Sequence, residues 1–289
     1  MSRLFTFLCL SLLFNLAQAQ LPTPEYKKGQ AILSGTIANY NPDDNLIFKI
    51  GAPNIVMGTA ETLYPTVEAD GSFTINIPLY HHTQVRMMIG NADLVILLSP
   101  EKETNVAINL SNPPGKQFVF SGQYATINNE WCQPELITKI PPVYSDGDLL
   151  DSIVGISANE FKKRCINQYK RYVTHNSAQL QFSEDTRTLA NLSCAFDCLE
   201  NLQATHYCLQ TAYQKKENIT REQAFAAFLD VYLPDDFHNY LKDFPVNHPL
   251  ALYCYNYRNV VMDLYDTHKD PLAYEKNLLK NAPLTKEEQ

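Results

Sequence analysis

Two hydrophobic periods divide this chain, and they change over between Phe118 and Trp131. Upstream, apolar and polar residues alternate in short runs, the period of strands with one buried face. Ala31 to Ala38, Asn45 to Ile50 and Glu61 to Val67 are separated by turn-forming clusters such as Asn41-Pro42-Asp43-Asp44. Asp70-Gly71 reads as a tight hairpin turn before the alternating run Ser72 to Ile77. Gln84 to Ile89, Leu94 to Leu98, Asn105 to Leu110 and Lys116 to Phe120 follow. Seven to nine short strands, roughly one per ten residues, predict an antiparallel β-sandwich over residues 29–121.

Past Gly122 the apolar residues recur at helical spacing, which predicts an all-α domain over 122–289 and an α+β fold class for the whole. Ser157-Ala158-Asn159-Glu160 is a capping box and opens a helix to about Thr174. Ser183, followed by Glu184 and Asp185, opens the longest helix, to roughly Tyr213, with Leu189, Leu192, Phe196 and Leu199 on one stripe. Thr220-Arg221-Glu222-Gln223 is a second capping box, and Pro249 suits the first turn of a helix reaching about Asp266. A further helix is expected over Pro271 to Asn281. Thr285-Lys286-Glu287-Glu288 starts another that Gln289 cuts within one turn, so either that end frays or the chain has lost a continuation.

The first residues change the picture of location. Arg3, the apolar run Leu4 to Leu16 and Ala17-Gln18-Ala19 have the form of a secretory signal peptide over 1–19. The apolar run is too short to span a bilayer, and no later run is long enough. Cys9 lies inside that run rather than just after the cleavage site, which argues against a lipid anchor. The expected location is therefore periplasmic or cell-envelope. Residues 20–28, with Pro22, Pro24 and two lysines, read as a mobile leader.

Without the signal the chain carries 22 basic and 31 acidic residues, a balance of −9. That excludes nucleic acid and anionic membrane surfaces as expected partners, since both need a basic patch. Six cysteines remain: Cys132, Cys165, Cys194, Cys198, Cys208 and Cys254. Export permits disulfides among them, and their pairing is open.

No catalytic, cofactor-binding or metal-ligating residue is assigned. Trp131-Cys132-Gln133-Pro134-Glu135 has the outline of a thioredoxin motif, but Glu135 stands where a resolving thiol is needed. Cys194 and Cys198 are one helical turn apart, on the face away from the leucine stripe. That spacing is wide for a direct disulfide, so buried thiols are the expectation. His81 and His82 are adjacent, so a strand would aim them to opposite faces; solvent-facing or hairpin-end side chains are expected. Tyr253, Tyr255, Tyr257, Tyr265, Phe225, Phe228 and Phe237 read as packing residues, with a ligand groove as the alternative.

The junction Phe118-Val119-Phe120-Ser121-Gly122-Gln123-Tyr124-Ala125-Thr126-Ile127-Asn128 follows a short-stranded domain in a chain with export features. With Phe225 to Asp230 and the tyrosine-rich run Tyr253 to Val261, containing Asn256-Tyr257-Arg258, it resembles the N-terminal region of TlpA-type, thioredoxin-like disulfide reductases of the bacterial cell envelope. The resemblance covers most of residues 30–289. It implies a C-terminal thioredoxin domain carrying a Trp-Cys-x-x-Cys pair, which this sequence lacks. The expected role is a non-catalytic accessory region whose partner is a protein or that thioredoxin domain. The alternative is a stand-alone periplasmic binding or scaffold protein using an aromatic helical face. Substrate and oligomeric state are left open.

Overall fold

Alternation becomes burial in a computed structural model, which describes residues 21–54, 59–143, 147–228, 233 and 237–269. The expected signal peptide, the helix over 271–281 and the terminal capping box lie outside the described residues. Eight strands form among the described residues: β1 (Gly29–Ile37), β2 (Phe48–Asn54), β3 (Thr59–Leu63), β4 (Ser72–Leu79), β5 (Thr83–Ile89), β6 (Ala92–Leu98), β7 (Glu103–Ile108) and β8 (Phe118–Gly122). One sheet has the order β4-β1-β7-β8 and the other β3-β2-β5-β6. Leu33, Ile50, Ile77, Val85, Met87 and Val106 meet between them, all fully buried.

The pairings are antiparallel except one, β1 beside β7, which runs parallel. A parallel pair needs a long crossover, and the five strands β2 to β6 supply it. Gly35 permits that pairing, because a Cβ there would lie 2.0 Å from the Val106 carbonyl oxygen. The Asp70-Gly71 turn forms, with the Ser72 N–H donating to Asp70 Oδ1 at 2.9 Å. It closes only a Val67–Phe73 bridge, since β3 pairs with β2 and β4 with β1.

Gly122 ends β8 at φ +86°, where a Cβ would meet the Glu103 carbonyl oxygen at 2.7 Å. The helices are α1 (Ala125–Trp131), α2 (Gly147–Ile153), α3 (Ala158–Ala178), α4 (Glu184–Gln203), α5 (Thr205–Glu217), α6 (Arg221–Phe228) and α7 (Tyr257–Lys269), with 3-10 turns at Phe237–Asp243 and Pro249–Tyr253. The caps act as expected: Ser157 Oγ accepts from the Glu160 N–H, and Thr220 and Gln223 satisfy each other's backbone N–H groups.

Three helix boundaries differ from expectation. Among the described residues the longest helix is α3, at 21 residues, because Asn176 near its end is drawn into the core to bind both backbone groups of Ile137. The helix opened by Ser183 breaks at Ala204, where the Thr205 hydroxyl donates to the Leu202 carbonyl and competes with regular pairing. The Pro249 helix stops at Tyr253, because the Tyr255 N–H leaves the helical ladder for Gln84 Oε1 at 3.1 Å. Helix α4 is buried all round, so the cysteine face is as enclosed as the leucine stripe.

Residues 21–28 form a strap rather than a mobile leader. Leu21 is buried in the helical core, its N–H donates to Asp185 Oδ2 at 3.1 Å, and the Tyr253 hydroxyl donates to the Pro22 carbonyl at 2.8 Å. Farther along, the Lys27 N–H donates to the Tyr80 carbonyl and Tyr26 stacks on Tyr80. These contacts bury one apolar side chain and satisfy backbone groups at both ends of the segment.

The helical unit covers the outer face of the β5–β6 end of its sheet. Consecutive residues of α1 close both sheet edges: Asn128 pairs with the N–H and carbonyl of Leu97 at 2.7 and 3.1 Å, and Asn129 with those of Phe120 at 2.8 and 2.9 Å. Glu130, next in line, accepts from the Ser183 N–H and hydroxyl. Asn128→Ala would leave a donor and an acceptor of β6 unpaired in a buried joint. A loss of about 2–4 kcal/mol is expected, read by urea denaturation.

Candidate functional site

A cavity of about 420 Å³ opens where the sandwich meets the helical unit. Its sandwich wall includes Ala92, Asp93, Leu94 and Val95, four consecutive residues of one strand. Alternate strand side chains point to opposite faces, so this wall is the edge of β6 itself. The register fixes which backbone groups point outward. Leu97 turns its N–H and carbonyl away from β5, toward Asn128, so Val95 and Asp93, at the same parity, do likewise.

Polar side chains surround that edge. Arg86 donates to both carboxylate oxygens of Asp93, with Nε to Oδ1 at 2.7 Å. Gln84, almost fully buried, spends its Oε1 on the Tyr255 N–H. On α4, Asp197 is 7% exposed; Asn256 donates to its Oδ1 at 2.7 Å and the Ile140 N–H to its Oδ2 at 3.1 Å. Asn256 also reaches Glu200 at 3.4 Å. Burial raises the Asp197 carboxyl to about 6, against the opposing hydrogen bonds. Burial, reinforced by the Asp197 charge, raises Glu200 to about 7. The exposed Lys139 at the cavity favours the charged form of Asp93, Asp197 and Glu200.

Five of the six thiols are buried and Cys132 is half-buried. None of the six cysteines forms a disulfide. Burial pushes Cys132, Cys165, Cys194 and Cys254 up to about 12 and raises Cys198 as well, which suppresses the thiolate that nucleophilic attack requires. Cys132 caps α1 in the cavity wall and packs against the sandwich core. Trp131 lies beside it, with its indole N–H buried and without a hydrogen-bond partner. Cys194 and Cys198 turn to backbone carbonyls of Ile137 and Cys165 rather than to each other.

His81 and His82 sit at the β4–β5 hairpin end, but they face the helical unit rather than solvent. His81 Nε2 bonds the Leu252 carbonyl oxygen at 2.9 Å and His82 Nδ1 bonds the Tyr124 hydroxyl. Burial lowers the pKa of both. Among the described residues no group of three or more His, Cys, Asp or Glu side chains is arranged to hold a metal ion, and no helix is long and apolar enough to cross a membrane.

Of the aromatic set, Tyr253 and Phe237 are buried and Tyr257 packs edge-on against Phe196 in the helical core. Tyr255 instead lines the cavity. The side chains of Phe228 and Tyr265 lie outside the described residues. Sequence reasoning gave no site role to Gln84, Arg86, Asp93, Asn128, Asp197 or Asn256. Asp197, a lone acid between two cysteines in an apolar helix, was the visible signal among them.

No protein-family model matches the chain, and no curated protein does. Among solved structures, one of a candidate cell adhesion protein from Bacteroides ovatus aligns with 13% identity over 33% of this chain and 43% of its own, at a TM-score of 0.20. A similarity this low supports no inference about fold or activity.

The raised carboxyls set the sign of a pH response. Asp197 and Glu200 hold protons in the fold that the unfolded chain releases, so their contribution is full below about pH 4 and is lost as pH rises through 6 to 7. Glu200→Gln removes one ionisation and keeps an acceptor for Asn256. It is expected to exceed the parent in stability by about 1–3 kcal/mol at about pH 8, with the gain gone by about pH 4, in urea titrations at both values.

Proposed function

We propose that this chain is a non-catalytic accessory region of an exported, TlpA-type thiol–disulfide reductase, working in the periplasm or cell envelope beside a thioredoxin domain outside the chain. The observation that carries the reading is the state of the thiols. Each cysteine with a shifted pKa is raised, none forms a disulfide, and Cys132 has no second thiol at the spacing a redox pair needs. The sandwich followed by helices agrees with the architecture that the resemblance implies. The chain then supplies placement and binding, and the electrons pass elsewhere.

A second reading, a stand-alone binding or scaffold protein of the envelope, is favoured by the cavity with Tyr255 in its wall. It predicts a captured ligand that is released when Tyr255 is changed to Ala; unchanged capture removes it.

Two measurements test the accessory reading. The chain alone is expected to give no turnover in an insulin-reduction assay, and robust reduction would sink the reading. A thiol reagent such as dithionitrobenzoate is expected to find almost no reactive groups in the native protein. After denaturation of residues 20–289 it should find six.

A further inference from the structure

We infer that the open edge of β6 is a docking site for an extended polypeptide segment, which adds to the sheet beside Asp93 and Val95. The backbone N–H and carbonyl groups of these two residues point outward into the cavity and have no hydrogen-bond partner among the described residues. An unpaired strand edge is a template for another extended chain.

The neighbouring residue shows what chemistry the edge accepts. At Leu97 the position of the next strand is taken by the Asn128 side chain, whose amide presents one acceptor and one donor as a peptide group does. The pairing therefore has an established end, and the cavity continues it toward the hairpin. Opposite, Phe118 on β8 has its backbone groups turned outward at the same parity as Phe120, whose edge is closed by Asn129. The helix α1 thus plugs one end of the gap between the two sheet edges and leaves the other open.

The walls select the segment. On the sandwich-core side stand Leu94, Phe118 and Cys132, and on the other Arg86, Asp93 and Lys139. A strand added to β6 turns alternate side chains to these two sides, so the partner is a segment that alternates apolar with polar residues. Unfolded polypeptide, the kind of substrate a disulfide reductase meets, offers such segments. In that respect the inference rests on the accessory reading, while its test measures binding and not reduction.

Trp131 is the chain's one tryptophan and lines this cavity, so its emission reports occupancy. The probe is a short blocked peptide with lysine at each end and alternating valine and threonine between, compared with a twin of equal charge carrying N-methyl groups on the edge-facing amides. The parent peptide is expected to change Trp131 emission saturably, and the twin to bind at least about tenfold more weakly. Val95→Pro deletes the outward N–H and no bond to β5, and is expected to match that loss, while Val95→Ala binds within about threefold of the parent. No saturable change with the parent peptide, or equal binding of the N-methylated twin, overturns the site whatever the variants do. Saturable peptide binding by a chain that also reduces insulin keeps the site and removes the accessory reading.

Discussion

Two side-chain amides, on Asn128 and Asn129, hold the architecture together. A β-sandwich has edges, and each edge presents backbone groups that must find partners once a second unit is laid against them. Here one turn of α1 supplies both partners, Asn128 to β6 and Asn129 to β8. The contacts fix where the helical unit sits and hence where the cavity forms. Glu130 extends the same logic to the start of α4 by binding Ser183. Three adjacent residues therefore tie two sheets and the central helix to one short element.

The helical unit repeats the device. The extended stretch after α1 crosses the core without secondary structure of its own, and side chains take up its backbone: Asn176 at Ile137, Asp197 at Ile140, Asn201 at Val143. This explains why polar residues sit deep in apolar helices. It also gives Asp197 two duties, since the same carboxylate that holds Ile140 binds Asn256 at the cavity. With one fixed donor on each oxygen, the side chain positions both segments at once.

Much of this was legible in the sequence, and the rest failed for physical reasons. Strands declared themselves by alternation because each has one buried face, and helix starts by their capping residues. The parallel neighbours β1 and β7 left no local trace, since nothing near either strand records a partner so far along the chain. The break at Ala204 is set by one hydroxyl, weaker than the periodicity around it. Asn128 and Asn129 look like ordinary polar helix residues until the sheet edges they serve are placed beside them. The cavity is assembled from segments scattered between Gln84 and Asn256, so only the pairing of the two units brings it into being. His81 and His82 lie at a hairpin end as expected, but a hairpin end is normally wet, and here another unit covers it.

The strap at Leu21 bears on the order in which the molecule is made. Tyr253 donates to the Pro22 carbonyl across 231 positions, while the sandwich draws its strands from residues 29 to 122. Chains are made from the N-terminus, at roughly 5–20 residues per second, and domains fold as units. The sandwich is therefore complete in material terms long before Tyr253 exists, and the helical core, which includes Leu21, must wait for it. Through that interval Leu21 and Pro22 lack the partners that hold them, while Tyr26 and Lys27 already have theirs on Tyr80.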